Sequence, residues 1–283
     1  METGDDHEVA ADGADVLMKL GAIAAIAVLT ALVLAGCGGS GNGKQAAPKV
    51  VSGELIVAAA TKSTKSGSVE ADFKISGPGI KGSGSGVFDT GPSRSGQLSM
   101  KVTVRGMEVP IDSVIAGNVL YMRSSVFSQL GLPANKQWIK VDLGKLAQQR
   151  GVDLSSLANT SPTPTSALSY LRGSGRVREV GKESIDGAET THYKVTVDLE
   201  KAAARSDPDT RQALRRVIKS SGVKTLPVDV WVDGKGYVRK VQYAQRASGQ
   251  NVKVTMNLHD YGKPVTVKPP PADSVVDLMQ AVG

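Results

Sequence analysis

Apolar residues recur at every second position through much of this chain, and such alternation admits little except antiparallel β-structure with one wet face. Val69, Ala71, Phe73 and Ile75 follow it, as do Leu98, Met100, Val102 and Val104. The pattern is looser over 119–122 and at Ile139 and Val141, then cleaner in Tyr193, Val195, Val197 and Leu199. Val228, Val230 and Val232, the stretch 237–243, and Val252, Val254, Met256 and Leu258 complete the series. Gly91-Pro92, Gly117-Asn118, Asp186-Gly187 and Asp233-Gly234 stand between these runs, and Asp-Gly favours tight hairpins. The expected organisation is a meander.

Helical segments interrupt it. Ser52 suits an N-cap for a helix carrying Leu55, Ile56, Ala59 and Ala60 and ending near Gly67. An insertion over 143–171 holds a Pro-rich stretch around Pro162 and Pro164, then a helix with Leu168 and Leu171. A third helix begins at Asp207-Pro208, presents Leu214, Val217 and Ile218, and stops at Gly222. Its other faces carry Arg211, Arg215, Arg216 and Lys219, a solvated surface that would also suit anionic headgroups.

The N-terminal part reads as targeting. Residues 20–36 are apolar except for Thr30, follow Lys19, and close with Leu34-Ala35-Gly36-Cys37, which resembles the lipobox of a bacterial lipoprotein signal. A short apolar helix of this kind enters the membrane, and small residues let a peptidase reach the backbone. The Cys37 thiol is then placed for diacylglycerol transfer. The acidic residues before Val16 are unusual for a signal and suit translation starting near Met18. The expected division is a signal at 1–36, a Gly-rich tether at 37–49 and one domain over 50–283. Such a chain sits on the extracytoplasmic face of the cell membrane.

Removing 1–36 takes one lysine and six carboxylates from a chain of 34 basic and 27 acidic side chains, raising its net charge from +7 to +12. A basic exported surface attracts anionic lipid or wall polymer. Export and an aromatic content of 4% argue against nucleic acid.

Candidate chemistry is sparse. One Cys excludes a disulfide framework or a Cys-based zinc site, and the segment after it offers two histidines, His192 and His259. His192 falls on the polar face opposite Tyr193, a surface position. His259 adjoins Asp260, but neighbours on a strand point to opposite faces. Gly82-Ser83-Gly84-Ser85-Gly86 has glycine where a hydrolase nucleophile would stand. Asp229 and Asp233 share the wet face of one strand without a sugar platform beyond Trp231. No catalytic group, metal or cofactor is expected.

The order of elements is familiar. A lipobox, a Gly-rich tether and a helix lead into Gly67-Ser68-Val69-Glu70-Ala71-Asp72-Phe73, and Trp138-Ile139-Lys140-Val141-Asp142 precedes the insertion. Val180-Gly181-Lys182-Glu183, Thr191-His192-Tyr193 and Val230-Trp231-Val232-Asp233-Gly234 follow. This resembles the actinobacterial LppX/LprG group and, more broadly, the LolA-like carriers. The resemblance implies an antiparallel sheet curled into a half-barrel, helices over its concave face, and a cavity for lipid or lipoglycan acyl chains. It leaves open whether a transporter collaborates.

A long amphipathic sheet curls by itself, and where helices do not fill its concave side an apolar hollow results. The inward positions expected to line it are Leu98, Met100, Val102, Ile139, Val141, Val195, Val197, Val230, Val254 and Met256. Leu214, Val217 and Ile218 would join them from a lid helix. The expected function is non-enzymatic binding or transfer of lipid by a diacylglycerol-anchored protein. The alternative is a sensing or binding module with a closed core, its partner a protein or anionic wall polymer.

Overall fold

The computed structural model describes residues 49–91, 95–130, 135–143, 145, 163–247 and 250–278. The expected signal, Cys37, the tether before residue 49 and the insertion between 146 and 162 lie outside the described residues. No helix among the described residues is long and apolar enough to cross a membrane.

Two meanders make one sheet. The first comprises β2 (Ser68–Gly77), β3 (Ile80–Asp89), β4 (Gly96–Val104), β5 (Met107–Ala116), β6 (Val119–Ser124) and β7 (Trp138–Asp142). The second comprises β8 (Ser174–Ile185), β9 (Ala188–Asp198), β10 (Thr225–Asp233), β11 (Val238–Ala247) and β12 (Gln250–His259). β12 returns to pair antiparallel with β2, placing Val254 opposite Ile75, Met256 opposite Phe73 and Leu258 opposite Ala71. β1 (Val50–Val51) lies on the outer side of β8, and β13 (Val275–Asp277) runs parallel to β7. Both edges are thus finished by strands of two and three residues, which offer little template for a further chain.

The helices are made by local signals. In α1 (Gly53–Thr64) Ser52 accepts from the Glu54 N–H, and Ile56, Ala59 and Ala60 face inward. α2 (Pro164–Tyr170) continues into a 3-10 turn at Leu171–Gly173. Asp198 caps α3 (Leu199–Ala204), so Leu199 ends the alternating run as a helical residue instead of extending β9. α4 (Pro208–Ser221) has Asp207 as N-cap, proline in its first turn and Gly222 in the left-handed region at φ 69°.

The core lies between these helices and the second meander. Ile56, Leu168, Leu171 and Leu214 are buried against Val177, Val195, Val197, Val230, Val241 and Met256. Each such aliphatic side chain contributes about 1.5–3 kcal/mol by leaving water. The 3-10 turn packs on α1 and β9, and α1 also packs on β8 and β11.

β3 is the strand that sequence pattern does not reveal. Its inward positions are Gly82, Gly84 and Gly86, facing Val102, Met100 and Leu98 across the β4 pairing. A Cβ on Gly84 would stand 2.6 Å from Met100 Cγ, and one on Gly86 would stand 2.8 Å from the Phe88 ring. The missing side chains let the open sheet curl here, so the Gly-Ser repeat is a bend in the wall. Gly84→Val is expected to lower stability by about 1–3 kcal/mol through overpacking. Urea denaturation followed by circular dichroism would show it as a lower midpoint at unchanged slope.

Candidate functional site

The inner face of the sheet divides into two halves. Over the second meander it is filled, with Val195, Val197, Val230, Val254, Met256 and Leu214 all buried in one cluster. Of the other two lid positions, Ile218 packs partly buried on that cluster and Val217 is 38% exposed. Helical spacing puts Val217 on the same side of α4 as Leu214, but at the margin of the packed stripe, where it stays in water.

Over β4 to β7 the described α-helices make few contacts, the 3-10 turn Ser125–Leu130 packs on β5 and β6, and the apolar row is only partly covered. Register aligns Leu98 with Ser113 and Met122, and Met122 with Ile139. The adjacent rows align Met100 with Ile111, Val102 with Val109, and Leu120 with Val141. Met100 and Ile139 are buried, while Leu98, Val102, Val109, Leu120, Met122 and Val141 are half-buried. This is a trough of thioether and aliphatic groups, adaptable to chains of varied length. Its hydrophobic wall is continuous with the core through Phe73 and Phe88, whose rings meet edge to face at 5.9 Å. Two clefts, of about 670 and 460 Å³, flank α1 instead, the smaller one between that helix and Tyr193 and Val232.

The outer face carries a polar cluster. The His192 ring stacks on Trp231 at 4.1 Å and 9°, and Lys240 Nζ stands 4.2 Å over the indole. The indole N–H donates to Glu183 Oε2 at 2.8 Å. His192 Nδ1 lies 3.0 Å from Glu183 Oε1, and Nε2 lies 2.7 Å from Asp229 Oδ1. Alternation does place His192 opposite Tyr193, but the residue is only 8% exposed, with Trp231 stacked on its ring, correcting the surface position read from sequence. The cluster braces β8, β9, β10 and β11 from outside.

The other polar candidates are also committed. Asp229 serves His192, whereas Asp233 accepts the Lys235 and Tyr237 N–H groups in the turn before β11, so the two aspartates do separate structural work. Asp260 has left β12 with φ 52°, and its carboxylate swings back to within 3.2 Å of His259 Nδ1. The opposite-face argument therefore fails for this pair, since it holds only within a strand. Glu70, His259 and Asp260 bring three ligand atoms within 4.8 Å of one another, the one such group among the described residues. Lys263 already takes Asp260 at 2.9 Å and Asp72 approaches His259 Nε2 at 3.3 Å. The Lys263 ammonium, first of all, holds the Asp260 carboxyl below its ordinary value, with His259 adding to it.

The Trp231 hydrogen bond holds the Glu183 carboxyl below the ordinary range, against a desolvation push upward and with help from His192 and Lys240. A carboxyl depressed on folding stabilises the protein above its unfolded value of about 4.3, and that contribution is lost as pH falls through the lower folded value. Glu183→Gln is therefore expected to melt earlier than the parent at neutral pH, with the gap closing below about pH 4. Differential scanning calorimetry across that range tests it, and a gap that does not depend on pH would refute the assignment.

A single open antiparallel sheet, curled, with helices packed into one half of its inner face, defines the class of fold. No protein-family model matches the chain. It is 29% identical over 171 residues to an uncharacterised 31.2 kDa Streptomyces griseus protein encoded between rplA and rplJ, the match taking in 56% of each chain. It is 28% identical over 150 residues to a Streptomyces coelicolor protein named as a candidate lipoprotein, across 51% of this chain and 44% of that one. The chain thus spans about half the length of the curated relatives it matches. Among solved structures it is similar to LprF from Mycobacterium bovis, with TM-score 0.47 and 14% identity over 77% of this chain and 96% of that one. The Mycobacterium tuberculosis lipoprotein LppX gives 0.44 and 16% over 76% and 99%.

Proposed function

We propose that this chain is a lipoprotein held on the outer side of the cell membrane by a diacylglycerol at Cys37, and that it binds acyl chains of lipid or glycolipid without catalysing a reaction. The signal-like run 20–36 and the Leu34-Ala35-Gly36-Cys37 end support the anchor, as does the name of the Streptomyces coelicolor relative. The observation that carries the ligand is the half-covered apolar trough over β4 to β7. Leu98, Met100, Val102, Ile139 and Val141 would contact the acyl chain there, with Leu120 and Met122 beside them. Val195, Val197, Val230, Val254, Met256, Leu214 and Ile218 support the trough from the filled half. Each buried methylene contributes about 0.8 kcal/mol, so a dozen give useful affinity with no directional contact.

The test is mass spectrometry of organic extracts from purified residues 44–283, compared with a Leu120→Glu/Met122→Glu form. Both altered positions are half-buried, so the fold should persist, and far-ultraviolet circular dichroism would verify that. Lipid retained by the parent and at least tenfold depleted in the variant supports the reading. Absence of lipid from both would leave a closed-core module for a protein or wall polymer.

A further inference from the structure

We infer that the sheet end carrying the β2–β3 and β4–β5 hairpins is a docking tip for a bilayer surface bearing anionic headgroups. At this end the inward row of the sheet runs past the described α-helices and out to the edge, with only the 3-10 turn Ser125–Leu130 beside β5. Its last members are Ile80, Val104 and Met107, paired in register, with Val104 41% and Met107 63% exposed. They continue the line Met100, Val102 and Ile111, Val109, so the trough wall ends in an apolar lip.

The outward rows behind that lip are cationic. Over the four residue rows nearest the tip, Lys74, Lys81, Lys101 and Lys253 project from the outer face, joined by Arg105 in the turn. Within β2 to β5 and β12 Glu108 is the one carboxylate in those rows, and it lies 3.4 Å from Lys101. An apolar ridge backed by excess positive charge is complementary to headgroups over hydrocarbon.

The turn itself supplies an independent sign. Arg105 and Gly106 form a two-residue connection with φ 50° and 87°. Both central residues are left-handed, a geometry that selects Asn-Gly or Gly-Gly, so an arginine at the first place is held under strain. The Arg105 N–H donates to the Gly79 carbonyl at 2.9 Å, lacing the two hairpins into one tip. The strained position presents a guanidinium beside Val104 and Met107, at the end of the chain's apolar wall.

Residues 44–283 contain every described element and the whole core, so this form tests the tip without the anchor. It is expected to pellet with phosphatidylcholine vesicles containing phosphatidylglycerol, far less with phosphatidylcholine alone, and less as salt rises. Val104→Ser/Met107→Ser should weaken binding about tenfold or more. Arg105→Gly should weaken it about fivefold, while its melting temperature stays level or rises because glycine relieves the left-handed turn. Binding that ignores phosphatidylglycerol, binding unchanged in both variants, or no binding would overturn the docking tip, including in favour of an acidic protein partner. The inference goes beyond the acyl-binding reading. An empty trough would leave vesicle binding intact, and a failed tip would leave retained lipid intact.

Discussion

The pairing of β12 with β2 is the interaction on which the molecule depends. It joins segments almost two hundred residues apart and converts two separate meanders into one continuous sheet. Without it each meander would expose a ten-residue edge. The contact is built from Phe73, Ile75, Val254 and Met256, whose side chains lie on the same inner face as the helical core. Such long-range closure forms late and slowly relative to the local hairpins, because its loop entropy must be overcome before any contact rewards it.

Curvature and filling then distribute duties across the sheet. Glycines at 82, 84 and 86 allow a close approach that larger residues would block, and the wall bends there. On one side of the bend α1, α2 and α3 pack into the concavity, and the valine-rich strands β8 to β11 become an ordinary core. On the other side the same kind of apolar row is left half-covered. One alternating pattern thus serves stability in one half and a candidate ligand surface in the other, and the difference lies only in what is packed against it.

The outer face answers a different constraint. A strongly twisted sheet leaves its convex side in water, where hydrogen-bonded strands have little else holding their register. Here Trp231, His192, Glu183, Asp229 and Lys240 tie four strands through stacking, a cation over an indole and charged hydrogen bonds. At the opposite edge Lys140 reaches Asp277 at 3.0 Å, and that hydrogen bond, with the accompanying attraction, raises the Lys140 ammonium above its ordinary value. The parallel strand β13 is held to β7 by a polar latch where it has only three residues of ladder.

Sequence alone determined the class of architecture, because alternation and turn residues are local properties. The Val252 to Leu258 run, Ser52 and Asp207 as caps, and the Asp186-Gly187 turn all act within a few residues of themselves. It also assigned most inward positions correctly as apolar and one-sided. It did not show β3, whose glycines carry no alternation and whose strand character is imposed by β2 and β4. Nor did it show that His192 would be covered, since Trp231 reaches it only through the β9–β10 register. Which half of the inner wall would be plugged was likewise a tertiary decision. Leu214 and Met256 fall in one buried cluster although neither lies near the other in the chain, whereas Leu120 and Met122, equally apolar, were left partly bare because the described α-helices pack elsewhere.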